Sequence, residues 1–246
     1  MVEIESDCIT TVAILGDCPM EWTIGWWQVS VQRVYPNSSE LAKTYNQAAG
    51  WWHQHLQLLG YGRAYRQLWR SLRKAGYLQN GFEPKNICDC GIGTAAFGLA
   101  LAQTINSNVN IVGIDLSPEM LKIAQAKLAK AHIQCQLCQS DVRTLPFENS
   151  VFDTEISAHM LEHLPDPKEG LKEMFRVLRP GAPLILVVTR SGILGSLIQW
   201  HWGNRCFSPN ELVNLMKEVG FSNLKVIPFP LGLARFTSSA YIGFRP

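Results

Sequence analysis

The sequence predicts an α/β fold built on a mostly parallel, seven-stranded sheet, and three observations predict it. Short apolar segments alternate with amphipathic segments of helical length from Lys85 onward. A glycine turn follows the first apolar segment, and the last two apolar segments follow one another without a helix. Alternating strands and helices specify a parallel sheet with helices on both faces. The closing pair predicts an antiparallel edge.

The length and composition limit the number of domains, the partners and the location that we expect for the chain. A chain of 246 residues fits one α/β domain, or one with a small helical appendage. With 47% apolar and 17% charged residues it can bury a full core, and a net charge of +2 does not indicate a nucleic-acid partner. The acidic N-terminus is unlike a signal peptide, and no uninterrupted apolar run reaches the ~18 residues of a membrane span. We therefore expect a cytoplasmic protein with reduced cysteines.

The chain divides into three zones. Residues 1–37 are an N-terminal extension rich in β-branched and aromatic residues, which favours strands or a hairpin. Residues 38–83 predict two helices, separated near Gly60 and Gly62, which form an N-terminal helical cap. Residues 84–246 hold the main domain.

The main domain supplies the predicted sheet and its covering helices. Its candidate strands are 86–90, 109–115, 133–138, 151–157, 183–189, 222–228 and 237–244. Its candidate helices are 95–105, 117–131, 168–178 and 208–219.

The strongest chemical signal is the glycine turn after the first strand of this domain, residues 87–95. Gly91, Gly93 and Ala96 also fit the dinucleotide pattern Gly-x-Gly-x-x-Ala, so the turn alone leaves a nicotinamide-dependent dehydrogenase open. Asp89 argues against that reading, because a carboxylate repels a pyrophosphate. The same carboxylate suits a ligand that carries an ammonium group and a sulfonium.

Asp115 ends the second strand, 22 positions after Gly93. A carboxylate there can accept both ribose hydroxyls of an adenosine. The alternative is that Asp115 caps the helix that begins at Ser117-Pro118-Glu119.

Five short motifs follow one another in the main domain. They are Asp89–Gly93, Asp115–Leu121, Ser140–Val142 with Leu145–Phe147, Phe152–Asp153 with Leu161–Leu164, and Val177–Gly181. In this order they resemble the class I S-adenosylmethionine-dependent methyltransferase family, in its small-molecule branch (methyltransferase type 11, with ubiquinone- and menaquinone-methylating members). The resemblance implies a Rossmann-like fold, S-adenosyl-L-methionine as cofactor and a small-molecule acceptor, apolar or aromatic. One departure is Ala182 after Gly181, where the family often has a second glycine.

The resemblance also implies which residues contact the cofactor. Those around its methionine portion are Asp89, Gly91 and Gly93. Those around its adenosine are Asp115 at the ribose, and Leu116, Met120, Asp141 and Val142 at the adenine. Those whose backbone faces the reacting end are Ser157 and Ala158.

Methyl transfer from a sulfonium is an in-line displacement that needs no covalent enzyme intermediate. A general base is needed only if the acceptor holds its proton, as a phenol or carbon acid does. The candidate bases are His159, His163 and His201. The alternative for His163 is a scaffold role.

The cap and the surface raise three further possibilities. Tyr45 or Trp51 could lie against the sulfonium by a cation–π contact, or belong to the core. The helix that includes Arg63–Lys74 carries a basic stripe, which predicts either peripheral contact with an anionic membrane or a solvated face. Residues 191–207 could form a mobile lid.

Cysteine spacing does not predict a metal site. Cys135 and Cys138 form Cys-x-x-Cys, but no second cysteine or histidine pair stands at zinc spacing. The sequence leaves a non-catalytic nucleotide-binding scaffold open, and it does not name the acceptor.

Overall fold

A computed structural model gives the structure of the protein. It describes the backbone of residues 9–11, 20–24 and 27–31, then Leu41, Lys43, Tyr45 and Asn46, and residues 59–77, 84–105, 109–192, 194, 205–230 and 232–246.

The N-terminal extension contains a small sheet. Strands β2 (Met20–Ile24) and β3 (Trp27–Val31) are antiparallel, and β1 (Ile9–Thr11) pairs with β3 in parallel. The predicted hairpin is thus confirmed and is extended by one further strand.

The main sheet has seven strands. They are β4 (Asn86–Cys90), β5 (Asn110–Asp115), β6 (Gln134–Gln139), β7 (Thr154–Ala158), β8 (Pro183–Thr189), β9 (Ser222–Pro228) and β10 (Ser238–Phe244). Their order across the sheet is β6-β5-β4-β7-β8-β10-β9. All neighbours are parallel except that β10 runs antiparallel to both β8 and β9. The predicted fold class is confirmed.

The described helices frame this sheet. They are α1 (Tyr61–Lys74), α2 (Ala96–Ile105), α3 (Pro118–Lys130), α4 (Pro167–Val177), α5 (Pro209–Val219) and the one-turn α6 (Ala234–Thr237). Three begin at a side-chain cap followed by proline, which satisfies a free amide and presets the first helical turn. The three caps are Ser117, Asp166 and Ser208.

Two details differ from the sequence prediction. Strand β7 begins at Thr154 rather than at Val151, because the Asp153 carboxylate accepts the Lys85 and Asn86 amides and the chain enters the sheet only after it. Helix α6 lies between β9 and β10, where no helix was expected. A single turn is too short for a crossover, so the two strands still pair antiparallel.

Burial explains why the last strand lies inside the sheet. Strand β10 is buried along almost its whole length, whereas β9 alternates between exposed and partly buried residues. A strand covered on both faces suits the interior, and an alternating strand suits an edge.

Each face of the sheet has its own apolar core. Helices α1, α2 and α3 pack on one face, around Leu68, Trp69 and Phe97. Helices α4 and α5 pack on the other, around Leu171 and Met216. Since α1 shares a core with the sheet, the described part of the cap is packed against the main domain. The division of the chain at residues 37 and 83 stays a prediction.

Candidate active site

A cavity of about 320 Å³ lies at the carboxyl ends of β4, β5, β6 and β7. The chain order reverses between β4 and β7, and ligands of open α/β sheets bind at such a switch point. The volume falls at the lower end of the range for ligand pockets, about 300–1,000 Å³. Every predicted cofactor or catalytic residue lines this cavity except Ser157 and the undescribed Trp51 and His201.

The glycine turn forms the floor of the cavity. Gly91 and Gly93 have φ of 70° and 52°, a left-handed conformation that glycine adopts without steric cost. A Cβ at Gly91 would lie 2.4 Å from Met160 Cγ. The turn is held by the Gly91 and Ile92 amides, which donate to the Ile114 carbonyl at 2.8 and 2.9 Å. The turn therefore lines the cavity with backbone that packs closely against Met160 and is fixed in place.

Asp89 is a buried carboxylate at the cavity. Its Oδ2 atom has no hydrogen-bond partner among the described residues. Burial, with a smaller contribution from Asp115, raises its pKa to about 8, although the Gly98 amide lowers it in part. Such a group gains from a positively charged ligand, because an opposite charge restores what desolvation removes.

Asp115 is fixed by the backbone on both sides. Its Oδ2 accepts the Gly93 amide at 2.8 Å and its Oδ1 accepts the Ser117 amide at 2.9 Å. The N-cap of α3 is Ser117, whose hydroxyl accepts the Met120 amide. The alternative that Asp115 itself caps this helix is therefore wrong. Burial raises the pKa of Asp115, and these amides oppose the rise.

Asp141 lies in the cavity wall beside an arginine that the sequence reasoning missed. Arg143 donates hydrogen bonds to both carboxylate oxygens of Asp141, from Nη2 to Oδ2 at 2.7 Å and from Nε to Oδ1 at 3.0 Å. The two residues are only two positions apart, so their opposite charges at this spacing could have predicted the ion pair from the sequence. Both line the cavity together with Val142.

His159 follows β7 and has a carboxylate partner. Its Nδ1 lies 3.1 Å from Glu162 Oε1. Glu162 is buried and also accepts the Thr189 amide and hydroxyl, both at 2.7 Å. Burial raises the pKa of Glu162, but the two histidines and the Thr189 hydrogen bond outweigh it, so the pKa falls below its ordinary 4.5. His159 itself has φ of 57°, and such strained residues cluster at functional sites.

His163 is engaged differently. Its Nε2 lies 2.7 Å from the Tyr45 hydroxyl, and the two rings meet edge to face. Burial raises the pKa of Tyr45, with smaller contributions from Glu162 and Asp115, so the phenol keeps its proton. The hydroxyl is therefore hydrogen-bonded to Nε2, so this ring nitrogen of His163 is already engaged within the protein.

Tyr45 and Asn46, in the predicted cap, are tied to the main domain at two points. One is the Tyr45–His163 contact. The other is the Ser117 hydroxyl, which donates to Asn46 Oδ1 at 2.5 Å. These contacts hold the two residues against the main domain, where Tyr45 lines the cavity.

Some predicted residues lie elsewhere or outside the described part. The Ser157 hydroxyl donates to the Cys90 carbonyl at 2.7 Å and lies behind the wall, where it links β7 to β4. Ala158 lines the cavity instead. Trp51, His201 and most of the 191–207 segment are outside the described residues.

The residues present fit S-adenosyl-L-methionine. Besides Asp89 Oδ2, the buried Thr94 hydroxyl has no hydrogen-bond partner among the described residues and also lines the cavity. A ligand with an ammonium group satisfies such atoms, and a sulfonium adds a second positive charge. The ribose hydroxyls and the adenine amino group match the carboxylates Asp115 and Asp141. A pyrophosphate would instead meet Asp89.

Fold and cavity together define an α/β protein with a ligand cavity at the switch point of its sheet, and known proteins resemble it. A family model described as a methyltransferase domain matches residues 87–181. The demethylmenaquinone methyltransferase of Porphyromonas gingivalis is 31% identical over 156 residues, which cover 62% of this chain and 61% of that protein. The enzyme of the same name from Bacillus cereus is 28% identical, over 64% of this chain and 77% of its own.

A solved structure shows the same fold. The magnesium protoporphyrin IX methyltransferase of Synechocystis PCC 6803, with bound SAH, has a TM-score of 0.67. It is 15% identical and the match covers 86% of this chain and all of that one. The methyltransferase-domain match over residues 87–181, these relatives and the shared fold support the predicted class I S-adenosylmethionine-dependent methyltransferase family and its cofactor.

Proposed function

We propose that this protein transfers a methyl group from S-adenosyl-L-methionine to a small aromatic acceptor of the quinol or phenol type. One observation carries the proposal. A single cavity is lined by Asp89, whose Oδ2 has no hydrogen-bond partner among the described residues, and, at the end of β7, by a histidine that is hydrogen-bonded to a buried glutamate. The first suits the cofactor's cationic portion, and the second suits an acceptor that must lose a proton.

The chain's own residues would contribute in three ways. When bound, the cofactor supplies a methyl group on a positively charged sulfur. Asp89 and the glycine turn hold its methionine portion, and Asp115 and Asp141 hold its adenosine. Fixing the acceptor in line with the methyl group is worth up to about 7–11 kcal/mol in favourable cases.

His159 is the general base of this proposal. The Glu162 carboxylate favours the tautomer with a proton on Nδ1, which leaves Nε2 as the proton acceptor. Ser238 Oγ, at 3.5 Å, is a weak partner for Nε2. His163 is the weaker candidate because the Tyr45 hydroxyl occupies its Nε2.

The acceptor class rests on two supports. The named relatives act on demethylmenaquinone by name, which is a quinone-derived molecule. The described cavity wall also carries large apolar and aromatic side chains. They are Leu41, Tyr65, Phe97, Met160 and Leu164.

The first experiment separates the proposal from its two alternatives. Thermal unfolding would be followed with S-adenosyl-L-methionine, with its demethylated product and with NAD⁺, since only a bound ligand raises the midpoint. We expect the first two to raise it; a rise with NAD⁺ alone would favour a dehydrogenase. Radiolabelled methyl donor would then be incubated with quinols, phenols and amines. Cofactor binding without transfer to any aromatic acceptor would contradict the proposed function and favour a scaffold.

Peripheral membrane contact and a cytoplasmic location belong to the same proposal. Arg63, Arg70, Arg73 and Lys74 are exposed on α1, whereas the nearby Tyr65 and Trp69 are buried in the core. The aromatic side chains therefore cannot anchor this helix, and charge alone supports the contact. No helix within the described residues is long and apolar enough to cross a bilayer. Co-sedimentation with vesicles rich in phosphatidylserine, compared with phosphatidylcholine vesicles, tests the contact, and equal recovery would contradict it.

A further inference from the structure

Three side chains with metal-binding atoms meet on the face of the sheet opposite Asp89. They are Cys88 and Cys90 of β4 and Glu155 of β7, and their ligand atoms all lie within 4.8 Å of one another. The sulfurs are 3.6 Å apart, and Cys90 Sγ is 3.1 Å from Glu155 Oε1. Cys88 and Glu155 are direct neighbours in the parallel β4–β7 register, which puts all three on one face.

This cluster is unusual because of where it lies. All three residues are fully buried, in a core that also contains Val112, Phe152 and Leu186. Glu155 Oε2 has no hydrogen-bond partner among the described residues. A buried carboxylate with an unsatisfied oxygen is costly, and such groups are normally paired or coordinate a metal. Methyl transfer uses none of these side chains, since none lines the cofactor cavity.

The sulfur–sulfur spacing matches coordination by a thiolate-binding ion. Zinc–sulfur bonds of about 2.3 Å place two sulfurs of a tetrahedron about 3.8 Å apart, close to the observed 3.6 Å. The two thiolates and the Glu155 carboxylate then give three ligand residues. If both carboxylate oxygens coordinate, Oε2 acquires a partner, in a geometry distorted from a regular tetrahedron because the two oxygens of one carboxylate lie close together.

We propose that Cys88, Cys90 and Glu155 form a structural binding site for a thiolate-preferring divalent cation of the Zn²⁺ type. Cysteine ligands favour zinc over magnesium or calcium, and a closed site indicates structure rather than catalysis. The ion would clamp β4 to β7, the two strands whose ends carry the glycine turn and His159. Because the site is sealed, the ion enters while the chain folds, and binding free energy adds to folding free energy.

The test uses the full chain and Cd²⁺, which reports thiolate ligation by an ultraviolet sulfur-to-cadmium absorption band. Wild type is unfolded in denaturant with a non-thiol reductant and refolded with Cd²⁺, Zn²⁺ or a chelator, then desalted. We expect close to one ion per chain by elemental analysis, the absorption band with Cd²⁺, and a higher unfolding midpoint with either metal than with the chelator.

Matched variants locate the site. Cys135→Ser/Cys138→Ser removes two cysteines from β6 and should keep the ion and the band. Cys88→Val/Cys90→Val should lose both, and Glu155→Gln, which preserves volume, should weaken binding at least tenfold. If Cys88→Val/Cys90→Val fails to fold, Cys135→Ser/Cys138→Ser and Glu155→Gln still test whether the ion binds at this site. Three results would each overturn the proposal. They are no ion on refolded wild type, loss of the absorption band in Cys135→Ser/Cys138→Ser, and an unchanged metal affinity in Glu155→Gln.

Discussion

The two ends of the cavity are built in different ways. At the cofactor end, Asp115 binds the amides of Gly93 and Ser117, and Asp141 binds Arg143, so most contacts stay within one motif or join adjacent strands. At the reacting end, Tyr45 reaches His163 across 118 positions of the chain. Glu162, in turn, contacts Thr189, 27 positions away. The first end is a property of local motifs, and the second depends on how distant segments pack.

This contrast predicts that substitutions at the cofactor end change cofactor affinity, whereas those at the reacting end change turnover or stability. The largest effect is expected for Asp115→Ala. Loss of two hydrogen bonds from the ribose hydroxyls to a carboxylate, each worth about 1.5–3 kcal/mol, raises the cofactor Kd by about 10²–10⁴-fold. Isothermal titration calorimetry measures it.

Asp166→Ala is the matched control for Asp115→Ala. Asp166 makes the same type of bond to an amide two positions later, accepting the Lys168 amide at 2.9 Å, but it lies outside the cavity. It should lower stability by about 0.5–2 kcal/mol through loss of an N-cap and leave the cofactor Kd unchanged. Unaltered affinity in Asp115→Ala would refute the ribose role.

The second effect should appear in turnover only. His159→Gln is expected to lower kcat by about 10²–10⁴-fold, the usual contribution of a general base, at unchanged cofactor affinity. His163→Gln should cost less, because Tyr45 already occupies its Nε2. His132→Asn, in a turn outside the cavity with φ of 57°, is the control and should behave as wild type. Equal losses in His159 and His163 variants would contradict the assignment of the base.

A smaller effect concerns stability and its pH dependence. Glu162→Gln should lower the free energy of unfolding by about 1.5–3 kcal/mol at neutral pH, since a hydrogen-bonded carboxylate is lost. The folded pKa of Glu162 lies below its ordinary 4.5. The carboxylate therefore stabilises the fold fully above that pH, and this contribution is lost as the pH falls through the folded pKa.

Denaturant titrations of wild type and Glu162→Gln from pH 7 to pH 3 measure this contribution. The two stabilities should converge as the pH falls below about 4.5. A constant difference across that range would show that Glu162 is not ionised in the folded protein.

The smallest effect is expected at the contact that ties the cap to the reacting end. Tyr45→Phe removes the hydroxyl that binds His163 and should cost about 0.5–1.5 kcal/mol of stability. It keeps the aromatic face, so a cation–π contact with the sulfonium would survive. Tyr45→Leu removes that face too, and should weaken cofactor binding by a further ~0.5–2 kcal/mol. Identical cofactor affinities in Tyr45→Phe and Tyr45→Leu would show that the Tyr45 ring does not contact the cofactor.

Much of the fold was predictable because its signals are local. All seven strands of the main sheet and four of the five described main-domain helices were located; the one-turn α6 was not, and the largest boundary error, at β7, arose from the long-range bonds of Asp153. The interior position of β10 was not predicted, since strand order depends on which faces become covered. The buried thiols beside Glu155 were missed for a similar reason, as 65 positions separate Cys90 from its partner.

The sequence by itself determined the glycine turn and the carboxylates beside it: the turn needs glycine at positive φ, and a carboxylate at a strand end has a fixed place in the sheet. Only the tertiary structure decided the surroundings of His159 and His163, by giving one a buried carboxylate and the other a tyrosine hydroxyl. The physical reason is that backbone geometry is set by neighbouring residues, whereas the orientation and protonation of a side chain are set by whatever packs against it.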